Sequence, residues 1–355
     1  EIYMGDWSSD VCSSDLLKHI AILFVPAFNT DGHERVGAWN RPNQVGPEEM
    51  GWRTTAHNLN LNRDYTKAEA PEMRAMLRLI AEWDPLITAD LHVTDGADFE
   101  PDMSIQVEPI NQGDAALRSA GVAMRDGVIA KLEAQGSIAL PFYPDFAETD
   151  DPASGFILTV YSPRFSTGYF PHRNRFTVLV ETHSWKPYAH RVKITRNTII
   201  GLAELTAQHG KAWLGLTRAA DEAATRLAGK ELVLDYESSW REPSRAGKTA
   251  TTAAPTDART IEFRGYAYTR NRSAISGATV TVYDPRTPQI WRVPYRDRVQ
   301  PAATATVAAG GYVVPAGYAD LIAGKLTPHG IRFERLANPM RGYMEIGRAS
   351  CRERV

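Results

Sequence analysis

Five polar residues stand where chemistry is easiest to place: His92, Glu181, Arg53 and the adjacent pair Asn62 and Arg63. His92 follows an apolar, β-branched run, Leu86 to Leu91, and precedes Asp95-Gly96, a turn-forming pair. Glu181 follows a second such run beginning at Phe176, and the two arginines fall in Trp52-Arg53 and Asn62-Arg63-Asp64, inside a polar loop. An imidazole can ligate a metal or carry a proton, yet one histidine at a strand end is ordinarily a hydrogen-bonded structural residue. Its partners decide its role. Taken singly, Arg63 is a surface cation beside Asp64 or Glu69, Arg53 a cation beside Trp52, Asn62 a turn residue like Asn29 and Asn60, and Glu181 a solvent-facing strand end.

The elements that must position these residues follow an α/β pattern. Ile20 to Phe28 reads as a buried strand ending in the turn chemistry of "NTDGHER", and a polar loop with Gly and Pro follows. In "APEMRAMLRLIAEW" Pro71 suits a first helical position, and Met73, Met76, Leu77 and Ile80 form one helical stripe. The His92 strand comes next, then a helix around "AALRSAGVAMRDGVIAKLEAQ", the strand "FTVLVETHSW", and a long helix from Arg196 to Gly229. Strand, loop, helix and strand in succession predict an α/β fold with a mixed, largely parallel sheet flanked by helices. In such sheets functional groups gather at the carboxyl ends of strands, where His92 and Glu181 both fall. Beyond Gly229 the short strand candidates "ELVLDYE", "IEFRGYAYTR" and "ATVTVYD" alternate with a Thr/Ala-rich stretch, and "AGYADLIAGKL" reads as a helix, which predicts a smaller β-rich C-terminal domain.

Composition sets further bounds. The 355 residues, 43% hydrophobic and 23% charged, can bury a sizeable core. A net charge of -2 leaves no basic excess to neutralise a phosphate backbone, so nucleic-acid binding has no compositional support. The longest apolar run, Ile20 to Phe28, contains Pro26 and falls far short of the roughly 20 residues that a membrane span needs. The head, "EIYMGDWSSDVCSSDL", and the tail, "EIGRASCRERV", have no periodicity and resemble in-frame translations of adapter oligonucleotides ligated to DNA fragments for sequencing. The expected organisation is therefore residues 1–16 and 345–355 foreign, 17–229 an α/β domain cut at its N-terminus, and 230–344 the β-rich domain. Both cysteines, Cys12 and Cys351, lie in the foreign segments, so the rest of the chain offers no thiolate ligand and no disulfide.

Four separated motifs, in order, carry a resemblance: "PAFNTDGHER", "GWRTTAHNLNLNRDY", "DLHVTDG" and "LVETHS" look like the zinc carboxypeptidase family of carboxypeptidase A, over about Ile20 to Tyr188. The resemblance implies that His92 matches the family's last zinc ligand, in a site of two histidines and one carboxylate plus water, which is also the handful of donors known for carboxypeptidase A. It implies that Glu181 matches the general base that takes a proton from zinc-bound water. Arg53 matches the cation that stabilises the developing oxyanion, and Asn62 and Arg63 match the pair that holds the substrate's terminal carboxylate. The substrate-contacting tyrosine is assigned to Tyr169 in "STGYF" in preference to Tyr161 in "TVYSP". His183 is expected to be hydrogen-bonded near the site, and His33 structural. The implied cofactor is zinc, the implied partner a peptide or peptide-like substrate with a free C-terminal carboxylate, and the implied compartment secreted or periplasmic.

The family takes its first two zinc ligands from a His-x-x-Glu element, and none of the nine histidines here has Glu three residues on. The expectation is that the parent protein carries these ligands in a segment upstream of Leu17, and that the chain as it stands binds zinc weakly and does not turn over. Two other readings fit parts of the pattern. One is a zinc amidohydrolase of the aspartoacylase type acting on N-acyl amino acids; the other is a non-catalytic carboxypeptidase-like binding module.

Overall fold

The computed structural model describes residues 16–238 and 258–337, so the adapter-like ends apart from Leu16, and most of the Thr/Ala-rich stretch, lie outside the described residues. They form two compact units that divide at Val313 and Val314. The second holds the helix expected near the end, a 3-10 turn Ala316–Tyr318 running into a helix Ala319–Leu326, with Arg335 paired to Asp320 at 2.7 Å.

The first unit is built on a mixed four-stranded sheet. Its strands are β1 (Ile87–Val93), β2 (Met103–Glu108), β3 (Ala139–Leu140) and β6 (Phe176–Thr182), in the order β1-β6-β2-β3. β1 and β6 are parallel, β6 and β2 antiparallel, and β2 and β3 parallel. The expected mixed, largely parallel α/β sheet is thus present. Because side chains alternate along a strand, one face carries Met103, Ile105, Val107, Phe176, Val178 and Val180. These residues pack against Met124, Val128 and Leu132 of a helix Arg118–Ala134, and against Ile194, Leu202 and Leu205 of a helix Tyr188–Ala224. Burial of each such side chain contributes about 1.5–3 kcal/mol. The long helix starts eight residues before its expected first residue, Arg196, directly after Pro187, whose fixed φ of -55° suits a helix entry.

A second cluster is built around the helix Pro71–Trp83. Met73, Leu77 and Ile80 form its buried stripe, and they meet Leu61, Tyr65, Tyr169 and Phe170. The helix is introduced by Asp64, whose carboxylate accepts the backbone N–H groups of Glu69 and Ala70 at 2.8–3.1 Å.

Two expectations need correction. Ile20 to Val25 is neither a strand nor buried: Phe24 is 63% exposed and Ile22 49%. A strand needs a neighbour for its backbone groups, and among the described residues none lies beside this run; β1 pairs only with β6. The boundary expected at residue 229/230 falls inside the first unit. The reason is a long hairpin, β8 (Arg259–Arg272) and β9 (Thr279–Arg296), which joins β4 (Asp145–Phe146) and β5 (Phe156–Ile157) in the sheet β4-β5-β9-β8. Its Phe263, Trp291, Val293 and Tyr295 share one aromatic core with Phe99, Phe142 and Phe156. The β-rich texture is as expected, with β7 (Glu231–Ser238) pairing with β10 (Val299–Thr306) in a ribbon. No helix among the described residues is long and apolar enough to cross a membrane.

Candidate active site

Strand register places the first two candidates. His92 and Glu181 are direct partners on the parallel strands β1 and β6, and Ser104 of β2 lies opposite Glu181. All three belong to the face that does not pack on the long helices. With a period of two, Asp90 shares that face with His92, and Leu179 with Glu181. The apolar runs that announced these strands therefore serve mainly to hold two polar side chains side by side.

His92 has a partner on its own strand. Its Nε2 lies 2.9 Å from Asp90 Oδ1, and Asp90 Oδ2 accepts the Ser166 hydroxyl at 2.6 Å. Burial opposes the charged imidazole, but the Asp90 carboxylate outweighs it and lifts the His92 pKa to about 9. Burial also opposes ionisation of Asp90, and the charge and hydrogen bond of His92, with the Ser166 bond, hold that carboxyl below its ordinary range. The pair is ionic at neutral pH.

Glu181 differs. Burial pushes its pKa up to about 7 even though the charges of His92 and Arg53 pull it down, and Asp90 and Asp95 add to the rise. Its Oε2 is buried and has no hydrogen-bond partner. A carboxylate titrating near neutrality is suited to taking and returning a proton.

The arginines arrive on loops braced from several sides. Trp52 N–H donates to Gly32 O at 2.7 Å, and the Asn29 amide donates to Arg53 O at 3.2 Å. A Cβ on Gly32 would stand 2.3 Å from Trp52 O, so only glycine lets the Arg53 segment approach so closely. Arg63 sits in a 3-10 turn, Leu61–Arg63, capped by the Asn60 side chain and anchored by buried Leu61. Its guanidinium lies 4.1 Å over the Phe165 ring and donates to Asn62 O at 2.6 Å. Desolvation, then the charges of Arg53 and Arg164, lower its pKa. Neither carboxylate suggested as a surface partner is used: Asp64 serves backbone N–H groups, and Glu69 pairs with Lys67 at 2.6 Å. Arg63 is therefore a partly desolvated cation without a carboxylate partner among the described residues.

One cavity of about 130 Å³ is lined by Arg53, Asn62, Arg63, His92 and Glu181. Tyr169 is not among its walls, which corrects the assignment of that residue: it is buried against Tyr65 and Phe170, with Arg173 donating to its hydroxyl at 3.4 Å. The sequence "STGY" forms a single helical turn, Ser166–Tyr169, which offers Ser166 and Thr167 to the cavity and carries Tyr169 into the core. Tyr161, the less favoured tyrosine, lines the cavity together with Tyr143. Gly168 makes this placement possible, since a Cβ there would stand 2.3 Å from Ser162 O. Asp90 is not among the residues singled out from the sequence, although its place two residues before His92 in "ADLH" puts the two on one strand face; Tyr143 has no sequence signal. His183 is fully buried, stacks on Phe99 at 3.9 Å and accepts its N–H at 3.1 Å, outside the cavity. His33 is exposed beside Glu34.

A catalytic zinc needs three protein ligands. Among the described residues no group of three His, Cys, Asp or Glu side chains could hold a metal ion, and Nε2 of His92 is engaged by Asp90. The donors present do not fit zinc on their own.

No family model and no curated protein matches the chain. Solved structures that resemble part of it include a metallo-carboxypeptidase from Burkholderia cenocepacia, at 13% identity and TM-score 0.33 over 45% of this chain and 42% of that one. Another is a proposed carboxypeptidase A from Shewanella denitrificans OS-217, at 16% identity and TM-score 0.30 over 48% and 42%. A third is a proposed metallopeptidase from Shewanella amazonensis SB2B, at 14% identity and TM-score 0.29 over 44% and 58%. The chain thus spans about half the length of these structures or less. Likenesses of this size decide nothing about the chemistry.

Proposed function

We propose that this cavity is the substrate-recognising and proton-transferring part of a metallocarboxypeptidase-type site, which hydrolyses the C-terminal peptide bond of a peptide or peptide-like substrate. The observation that carries the reading is the convergence of Arg53, Asn62, Arg63, His92 and Glu181, drawn from three separate sequence motifs, on one cavity.

In this reading the Arg63 fork and the Asn62 amide hold the terminal carboxylate, which gives the desolvated guanidinium the anion it lacks. Arg53, on the neighbouring loop, offers positive charge to the carbonyl oxygen as it becomes an oxyanion. Glu181 takes a proton from the attacking water and returns it to the leaving amine, a cycle for which a pKa of about 7 is well placed. Asp90 and Ser166 fix the ring of His92. Zinc at this site needs donors beyond those of the described residues, so the chain by itself is expected to recognise substrate without turning it over.

Titration of this chain with an N-acylated dipeptide and with its C-terminal amide tests the reading. The free acid is expected to bind at least about tenfold more tightly, because a charge-assisted pair is removed by amidation. Equal binding of acid and amide would overturn it.

A further inference from the structure

A second cavity, of about 230 Å³, lies where the strand β2 and the helix Arg118–Ala134 meet the ends of β8 and β9. None of the residues assigned above belongs to it. Its volume is below the roughly 300–1,000 Å³ of drug-sized sites, which limits an occupant to a small molecule.

Its walls combine three kinds of group. Arg125 and Arg259 supply two guanidiniums, and each engages its Nε on a carboxylate: Arg125 on Asp126 at 2.8 Å, and Arg259 on Asp297 at 2.7 Å. Among the described residues the terminal nitrogens of both have no carboxylate or carbonyl partner, so their outer edges are open to an anion. Opposite in character are two acceptors. Asp297 keeps its second oxygen, and Gln106 is 4% exposed with its Oε1 buried and unpartnered, its Nε2 being held by Thr159 O at 3.3 Å. A buried amide oxygen without a donor costs free energy that a ligand N–H would recover. The third element is apolar: the rings of Phe142 and Tyr295 stack at 4.4 Å, and Leu158 lies beside them.

A purely anionic ligand would satisfy the guanidiniums but would meet Asp297 and leave Gln106 unpaired. A purely cationic one would fail in the reverse sense. We infer that this cavity binds a free α-amino acid with an apolar side chain, its carboxylate between Arg125 and Arg259, its ammonium on Asp297 and Gln106 Oε1, and its side chain against Phe142, Tyr295 and Leu158. The inference does not depend on the function proposed for the first cavity.

Calorimetric titration of this chain with L-leucine tests it, run beside 4-methylpentanoate, which lacks the ammonium, 3-methylbutylamine, which lacks the carboxylate, and inorganic phosphate. L-Leucine is expected to bind saturably, and each comparison compound at least about tenfold more weakly, since each loses a charge-assisted pair. Arg259→Met and Asp297→Asn, both at partly exposed positions, should lose that affinity while keeping the wild-type circular dichroism. Arg63→Met, in the other cavity, should keep it. Absence of saturable leucine binding, equal binding of 4-methylpentanoate or phosphate, undiminished binding in Arg259→Met, or loss in Arg63→Met would each overturn the assignment; the last would place the amino acid in the first cavity.

Discussion

On one face of the central sheet Met103, Ile105, Val107, Phe176, Val178 and Val180 meet two helices and leave no polar group to satisfy. On the other face of the same strands stand Thr88, Asp90, His92, Ser104, Gln106, Thr177 and Glu181, with four oxygens, Thr88 Oγ1, Gln106 Oε1, Thr177 Oγ1 and Glu181 Oε2, that have no partner. The strands are shared, and only the parity of the position separates the two sets. The difference teaches that packing and polarity are divided here by side-chain alternation: the packed face holds the strands in register, and the polar face carries His92 and Glu181 to the wall of the first cavity.

Substitutions on the packed face should have the largest effect on folding. Leu132→Ala, at a position 1% exposed, should lower unfolding stability by about 2–5 kcal/mol in urea denaturation. A loss within the scatter of surface substitutions would mean that this face is not the core. On the polar face the balance reverses. Arg63→Met should leave stability within about 0.5 kcal/mol and weaken binding of a free-acid peptide by about 1.5–3 kcal/mol, roughly 10–100-fold. Smaller still is the expected contrast between the tyrosines. Tyr161→Phe, in the cavity wall, should weaken peptide binding by about 1 kcal/mol at most, whereas Tyr169→Phe should leave binding unchanged, because that hydroxyl meets Arg173 in the core. If Tyr169→Phe were the damaging change, the helical turn Ser166–Tyr169 would be wrongly placed. The smallest expected response is to zinc: a chelator-stripped chain should show no saturable one-to-one site at micromolar metal, because one imidazole cannot supply three ligands. Tight stoichiometric binding would show that other donors complete the site.

Much of this division was legible in the sequence. The runs before His92 and Glu181 gave both strands, and the stripe of Met73, Leu77 and Ile80 gave a helix with its first residue correct. Strand β2 was not recognised: "MSIQVE" alternates polar and apolar residues, the mark of a half-exposed strand, yet all six are buried, because Ser104, Gln106 and Glu108 face a polar interior instead of water. The run Ile20 to Val25 failed in the opposite sense, since its composition is that of a strand and no neighbour pairs with it. At the candidate site, motif order singles out Arg53, Asn62, Arg63, His92 and Glu181, all of which line one cavity. The tyrosine could not be chosen from sequence, because whether Tyr161 or Tyr169 faces the cavity depends on a close backbone approach at Gly168 and on the phase of one helical turn. The second cavity had no sequence signal at all, being assembled from residues between Gln106 and Asp297 that meet only through the hairpin.

The most direct measurement of the central claim is a cycle that pairs Arg63→Met with amidation of the peptide. If the guanidinium holds the terminal carboxylate, each change alone should cost about tenfold or more in affinity, and the two together little more than either. Costs that simply add would contradict the account, since they would mean that Arg63 and the carboxylate never meet.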